Sequence, residues 1–170
     1  GLGEPRSIAD LMHICATLKK NGITPFTIGT KYLWTAAGWF DFLNLRVNGY
    51  DFHMGLMDGN ISYEDKRLDK VFDIWGDLAR KGYFIENHAS LSWQEGQAPM
   101  LNGDAAMYLM GNFVVGNLQE GGLTGKIGYF QFPVIDGNVR TWEEAPTDSV
   151  HIPSKAKNKA DARKFLAFLA

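Results

Sequence analysis

The residues able to do chemistry are thinly spread through this chain of 170 residues. Its four histidines, His13, His53, His88 and His151, lie far apart, and no two fall at i, i+4. That spacing gives no metal motif, and His13 beside an apolar helical face reads as a structural histidine. Asp148, Ser149 and His151 supply the residue types of a hydrolytic triad. Triad members converge from distant segments, however, and the chain has no G-x-S-x-G elbow. Glu143-Glu144 pairs two carboxylates, but adjacent charges of this kind belong to a solvated loop. Gly121-Gly122 lacks the Lys-Ser/Thr or G-x-G-x-x-G context of a phosphate loop. The single cysteine, Cys15, excludes an internal disulfide framework and any cysteine-based zinc site, and its apolar periodic setting marks a buried thiol. No catalytic constellation, metal site or cofactor motif emerges.

What remains is a set of aromatic and short polar side chains at the ends of elements. Trp34 follows Gly29-Thr30-Lys31-Tyr32 at a strand-to-helix transition, Asn112 and Phe113 follow a strand ending at Met110-Gly111, and Trp142 and Asp148 flank a loop before a short strand. Ligands of α/β domains bind outside strand termini. A flat ring can cover the apolar C–H face of a sugar, while Asn and Asp exchange hydrogen bonds with its hydroxyls. A carboxylate bonds more strongly than a neutral acceptor, which suits Asp148 to vicinal hydroxyls. Trp39, Phe72 and Trp75 fit helical core stripes instead, and Trp93 is compatible with either role.

The elements that must position these residues are legible from periodicity. Ser7 and Asp10 form a capping signal before Ile8, Leu11, Met12, Cys15 and Leu18, and Gly22 stops that helix. Residues 23–28 read as a short strand with Pro25 at its edge or entry. Residues 31–47 read as a mostly buried helix and 50–62 as a loop. The clearest helix runs from about 63 to 81, with Leu68, Val71, Phe72, Trp75 and Leu78 on one stripe. Residues 92–102 suggest a short helix interrupted by Pro99. A strand at 104–110, a short helix at 112–119, a strand at 126–134 and a turn at Asp136-Gly137-Asn138 follow. A strand at 150–152 and a helix from 159 to 170, with Ala162, Phe165, Leu166 and Leu169 as its buried stripe, close the pattern. Mixed elements without a repeat favour a layered α/β domain. Hydrophobic residues are 45 % of the chain, enough for a core, and the net charge of −2 argues against a general grip on nucleic acid or anionic lipid. No apolar run approaches the roughly 20 residues of a membrane span.

Several segments taken together resemble the family-1 extracellular solute-binding proteins of bacterial ABC transporters. Pro5-Arg6-Ser7-Ile8-Ala9-Asp10 and Leu18-Lys19-Lys20-Asn21-Gly22-Ile23-Thr24-Pro25-Phe26 match its opening helix and strand. Trp93-Gln94-Glu95, Leu101-Asn102-Gly103-Asp104-Ala105-Ala106-Met107 and Gly111-Asn112-Phe113 resemble its "G-x-A-A-M" strand and the "G-x-W" that follows. Ile127-Gly128-Tyr129-Phe130-Gln131-Phe132-Pro133 is similar to its "I-G-x-x-x-x-P" element. Ile152-Pro153-Ser154-Lys155-Ala156-Lys157-Asn158-Lys159, with Ala162, Phe165 and Leu166, is similar to its "I-P-x-x-[AS]-K-N" helix start. Each motif is short; their order and spacing cover nearly the whole chain.

The resemblance implies a type II periplasmic-binding-protein-like α/β fold, of which this chain holds most of the C-terminal lobe and is incomplete. Residues 1–149 would form most of that second lobe, and 150–170 a hinge strand and helix returning to the first. It implies a non-enzymatic carbohydrate-binding component of an ABC importer, located in the periplasm or outside the cell, with lipid anchoring left open. Its partners would be the sugar, the permease subunits and the first lobe of the same protein, with no nucleic acid and no membrane insertion. Trp34, Asn112, Phe113 and Asp148 carry over as ligand contacts, with Trp142 as a secondary one. Phe113 stands where the family more often has Trp, and Pro146-Thr147-Asp148-Ser149 keeps only the Asp of a Gly-Gly-and-Asp region. A glycosidase with paired carboxylates, an aromatic protein-interaction module and a binder of a non-sugar solute stay as alternatives.

Overall fold

A computed structural model describes residues 2–169. Helix α1 (Ile8–Lys20) begins with a reciprocal capping box: Ser7 Oγ accepts from Asp10 N–H at 3.2 Å, and the Asp10 carboxylate accepts from Ser7 N–H at 2.9 Å. These bonds hold the Asp10 carboxyl below the usual carboxylate range. The helix buries Leu11, Ile14 and Cys15. Strand β1 (Thr24–Thr27) follows and pairs in parallel with β2 (Ala105–Tyr108), in the register Thr24↔Ala105 and Phe26↔Met107. A bridge between Phe26 and Phe84 covers its other side. Thr24 N–H donates to Asp104 O and Phe26 N–H to Tyr83 O, so Pro25, which has no N–H, interrupts neither bond.

Helix α2 (Trp34–Val47) is the buried helix that its composition predicts, with Trp39, Leu43, Leu45 and Val47 all in the core. Trp39 meets Phe26, Phe84 and Phe132 edge-on at centroid distances of 4.9, 5.1 and 5.8 Å. The stretch read as a loop after it is partly helical: α3 (Tyr50–Met57) buries Phe52, His53 and Leu56. Gly49, at φ 80°, makes the turn that separates the two helices, and this corner allows a second helix immediately after the first.

Helix α4 (Asp69–Arg80) starts later than the stripe suggested. Asp65 Oδ1 accepts from Arg67 N–H and begins a 3-10 turn instead, and the Arg67 side-chain and backbone bonds hold the Asp65 carboxyl at about 2. Leu68, Val71 and Leu78 are buried, but Phe72 is 49 % exposed and corrects its assignment to the core. The stripe is wider than the surface that α2 and its neighbours cover. Helices α5 (Ala98–Asn102), with Pro99 in its first turn, and α6 (Val114–Leu118) flank β2.

Residues 127–133 form no strand, contrary to their weak alternation. Only Val134 pairs, bridging Ser7. A side chain meets one carbonyl of this segment and two groups further along. Arg46, 1 % exposed on α2, donates from Nε to Phe132 O at 3.1 Å, from Nη1 to Trp142 O, and from Nη2 to Glu143 Oε1 at 2.7 Å. A buried guanidinium is tolerated because its donors are occupied. The segment is thereby strapped to α2, and His53 Nε2 meets Glu144 Oε1 at 3.3 Å further along.

Residues 150–152 are likewise without a strand, since no other strand of the described chain lies beside them. Helix α7 (Lys159–Leu169) buries none of its residues. Phe165 and Leu169, placed by periodicity on a buried stripe, are 59 % and 54 % exposed, because no other element of the described chain covers that face.

Candidate functional site

Parallel pairing of β1 and β2 puts the C-terminal ends of both strands at one edge of the sheet. The chain leaves β1 toward Trp34 at the start of α2, and leaves β2 toward Asn112 and Phe113 at the start of α6. There the rings meet. Trp34 and Phe113 have centroids 6.4 Å apart, and both are about half exposed. Trp93 completes the group, 6.5 Å from Trp34 and 5.1 Å from Phe113. Periodicity did not decide the role of Trp93; the S-x-x-E spacing of Ser92 and Glu95 is the signal that fixes its place.

That signal is a second capping box. Ser92 N–H donates to Glu95 Oε2 at 2.7 Å, and Glu95 N–H donates to Ser92 Oγ at 3.2 Å. These bonds hold the Glu95 carboxyl below its ordinary range and commit it to the turn. From β2, the Tyr108 hydroxyl donates to Trp93 O at 2.8 Å, and burial pushes its phenol well above the ordinary range.

The loop carrying Trp34 is locked to the loop carrying Trp93 at two glycines. A Cβ on Gly29 would lie 2.0 Å from Ser92 O, and one on Gly96 would lie 2.8 Å from Gly29 N. Only hydrogen fits between these backbones. Thr27 Oγ1 donates to Gly96 O at 2.5 Å and Thr35 Oγ1 to Gly29 O at 2.6 Å. Lys31 N–H donates to Leu91 O and Thr30 N–H to His88 O, while the Thr30 hydroxyl pairs with His88 Nδ1 at 2.7 Å. Gly111 does similar service for Phe113, whose ring folds back to within 2.4 Å of where a Cβ would stand.

Of the other sequence candidates, Asn112 is exposed beside Phe113. Trp142 lies in a different cluster, 5.0 Å from the Tyr50 ring and under the Arg140 guanidinium at 4.7 Å. Asp148 is exposed on the irregular segment before α7. Ser149 Oγ and His151 Nε2 are 2.7 Å apart, an exposed i, i+2 contact in which Asp148 takes no part. Among the described residues no group of three or more His, Cys, Asp or Glu could hold a metal ion. A shallow cavity of about 340 Å³ lies between α1 and α4, lined by Ile8, Met12, Asp73 and Asp77 among others, and shares no residue with the rings.

The arrangement is an open aromatic surface at a strand-end edge, and comparison with known proteins gives the family of the chain that carries it. The model of the bacterial extracellular solute-binding protein family matches residues 1–170. The chain belongs to that family. An ABC transporter extracellular-binding protein of Pyrococcus horikoshii, itself uncharacterized, is 30 % identical over 164 residues, which are 96 % of this chain and 36 % of that protein. The solute receptor AcbH, reported to have an exclusive substrate preference for β-D-galactopyranose, superposes with a TM-score of 0.75 at 30 % identity. That match covers 81 % of this chain and 34 % of AcbH. A chitin oligosaccharide binding protein superposes with a TM-score of 0.74 at 29 % identity, over 80 % of this chain and 34 % of its own. The chain thus spans about a third of the length of these solute-binding proteins. No helix among the described residues is long and apolar enough to cross a membrane.

Proposed function

We propose that this chain supplies one wall of a carbohydrate-binding cleft in the solute-binding component of a bacterial ABC importer. Residues 1–149 would make most of the second lobe, and 150–170 the connection and helix leading back to the first. The observation that carries this reading is the convergence of Trp34, Trp93 and Phe113 at the strand-end edge. Trp34 and Phe113 are half exposed and Trp93 is less so; held by buried glycine contacts and a capping box, they suit a ligand, since a folding core would have covered them. Sugar is the ligand class that such a surface suits. Its axial C–H groups lie on ring faces, and Asn112 at the rim offers both a donor and an acceptor to its hydroxyls. The Glu95 carboxylate is spent on its own turn, so the wall is polar without being strongly charged. Trp142, packed on Tyr50, serves in this reading to seat the Arg46 strap, and Asp148 would reach the ligand from the irregular segment.

The mechanism is binding rather than turnover. A sugar touching both lobes stabilises the closed form by its greater affinity for it, and the closed form is what a permease would recognise. Calorimetric titration of the complete protein containing this chain, against neutral mono- and oligosaccharides and a control panel of amino acids and polyamines, tests this. Saturable heat from saccharides alone, weakened at least tenfold by Trp34→Ala, is expected. Saturation by an amino acid or polyamine, with none by any saccharide, would overturn the sugar reading.

A further inference from the structure

We infer that the wall formed by Trp34, Trp93 and Phe113 reads a single sugar ring of whatever saccharide binds. This rests on the carbohydrate reading above and concerns how much of the ligand this wall contacts. The three rings are mutually tilted, by 68° between Trp34 and Trp93, 52° between Trp34 and Phe113, and 79° between Trp93 and Phe113. An extended saccharide lying along a protein surface needs ring faces that run roughly parallel, so that each successive sugar finds its own platform. Steeply tilted rings with centroids only 5.1–6.5 Å apart enclose a corner. In the edge-on Trp93–Phe113 pair, one ring's face is taken up by the other's edge. Sites for stacking are therefore fewer than rings, and they converge on one volume.

The supports fix the backbones that carry the rings. The Ser92–Glu95 box and the Tyr108 hydroxyl set the Trp93 backbone, the Gly29–Gly96 contact sets its distance from the Trp34 loop, and Gly111 lets the Phe113 ring fold inward. The molecule contains a counter-example in the strip formed by Tyr63, Phe40, Phe72 and Trp75. Successive rings there are tilted by only 36°, 33° and 21°. Nearly parallel rings are thus within the reach of this fold, and the wall does not use them.

The test is a length series sharing one terminal sugar, from mono- to tetrasaccharide, titrated into the complete protein and into its Trp34→Ala, Trp93→Ala and Phe113→Ala variants. Each variant is expected to weaken binding by the same factor, at least about tenfold, at every length. A loss that grows with chain length would show that the rings contact successive sugars and would overturn the inference. No saturable binding of any saccharide by the unmutated protein would instead sink the carbohydrate reading itself. Circular dichroism matching that of the parent shows that each variant is folded. If Trp93→Ala unfolds, Trp93→Phe carries its part of the comparison.

Discussion

Replacing Gly29 by alanine probes the contact on which the wall depends. The new Cβ would lie 2.0 Å from Ser92 O and 2.5 Å from Ser92 C, both backbone atoms that no side-chain rotation can move. Ordinary contact begins at 3.4 Å, so the two loops must part by about 1 Å or more, a forced overpacking that costs about 1–3 kcal/mol. In a chain of this size that lowers Tm by roughly 2–12 °C. The same displacement carries Trp93, next to Ser92, away from Trp34 and opens the corner. Sugar affinity should fall at least about tenfold, or ~1.4 kcal/mol. Gly38→Ala is the control: it lies inside α2 with nothing within 4 Å of its would-be Cβ. That change should stabilise by about 0.5–1 kcal/mol through helix propensity. Thermal denaturation by circular dichroism and a fluorescence titration read both effects. A Gly29→Ala protein that melts and binds like its parent would refute the claim that the glycine contact sets the wall.

Four further outcomes follow from other parts of the structure. Arg46→Ala leaves the Phe132 and Trp142 carbonyls and the Glu143 carboxylate without their shared donor, and should cost about 1–3 kcal/mol in chemical denaturation, the penalty of a buried acceptor left unsatisfied. Glu143→Gln keeps an acceptor at the half-exposed end of that pair and should cost under about 1 kcal/mol. Burial pushes the Cys15 thiol up to about 12. Its folded-state value is raised, so the stability it contributes is whole below the unfolded thiol's value and is lost as pH climbs toward 12. Stability measured from pH 8 to 11 should therefore fall more steeply in the parent than in Cys15→Val, and equal slopes would contradict the burial argument. Ser7→Ala removes the α1 cap and should cost about 1 kcal/mol, read as a shift in denaturation midpoint at unchanged slope.

Where local chemistry decides, the chain is legible as written. The Ser7–Asp10 box, the α2 apolar run and the β1–β2 end positions of Trp34 and Phe113 all follow from residue types and short spacings. Where a distant partner decides, periodicity misleads. Residues 127–133 alternate weakly yet form no strand: no strand pairs with them, and Arg46, more than eighty positions earlier, bonds the Phe132 carbonyl. The start of α4 shifted because Asp65 caps a 3-10 turn, a choice that the apolar stripe does not register. Phe72 and Phe165 sit on helical stripes, but burial needs an opposing surface, and no stripe specifies one. The third ring of the wall went unassigned for a related reason. The Ser92–Glu95 spacing marks the turn that carries Trp93, but its approach to the other rings depends on a hydroxyl on β2 and a backbone contact between glycines, neither of which has a sequence period.

A crystal structure of the complete protein with a bound saccharide tests the central claim most directly. The expected result is one sugar ring seated in the corner, its C–H face within about 4 Å of Trp34 or Phe113 and a hydroxyl bonded to Asn112. A saccharide bound elsewhere, with the Trp34, Trp93 and Phe113 rings still facing solvent, would contradict it.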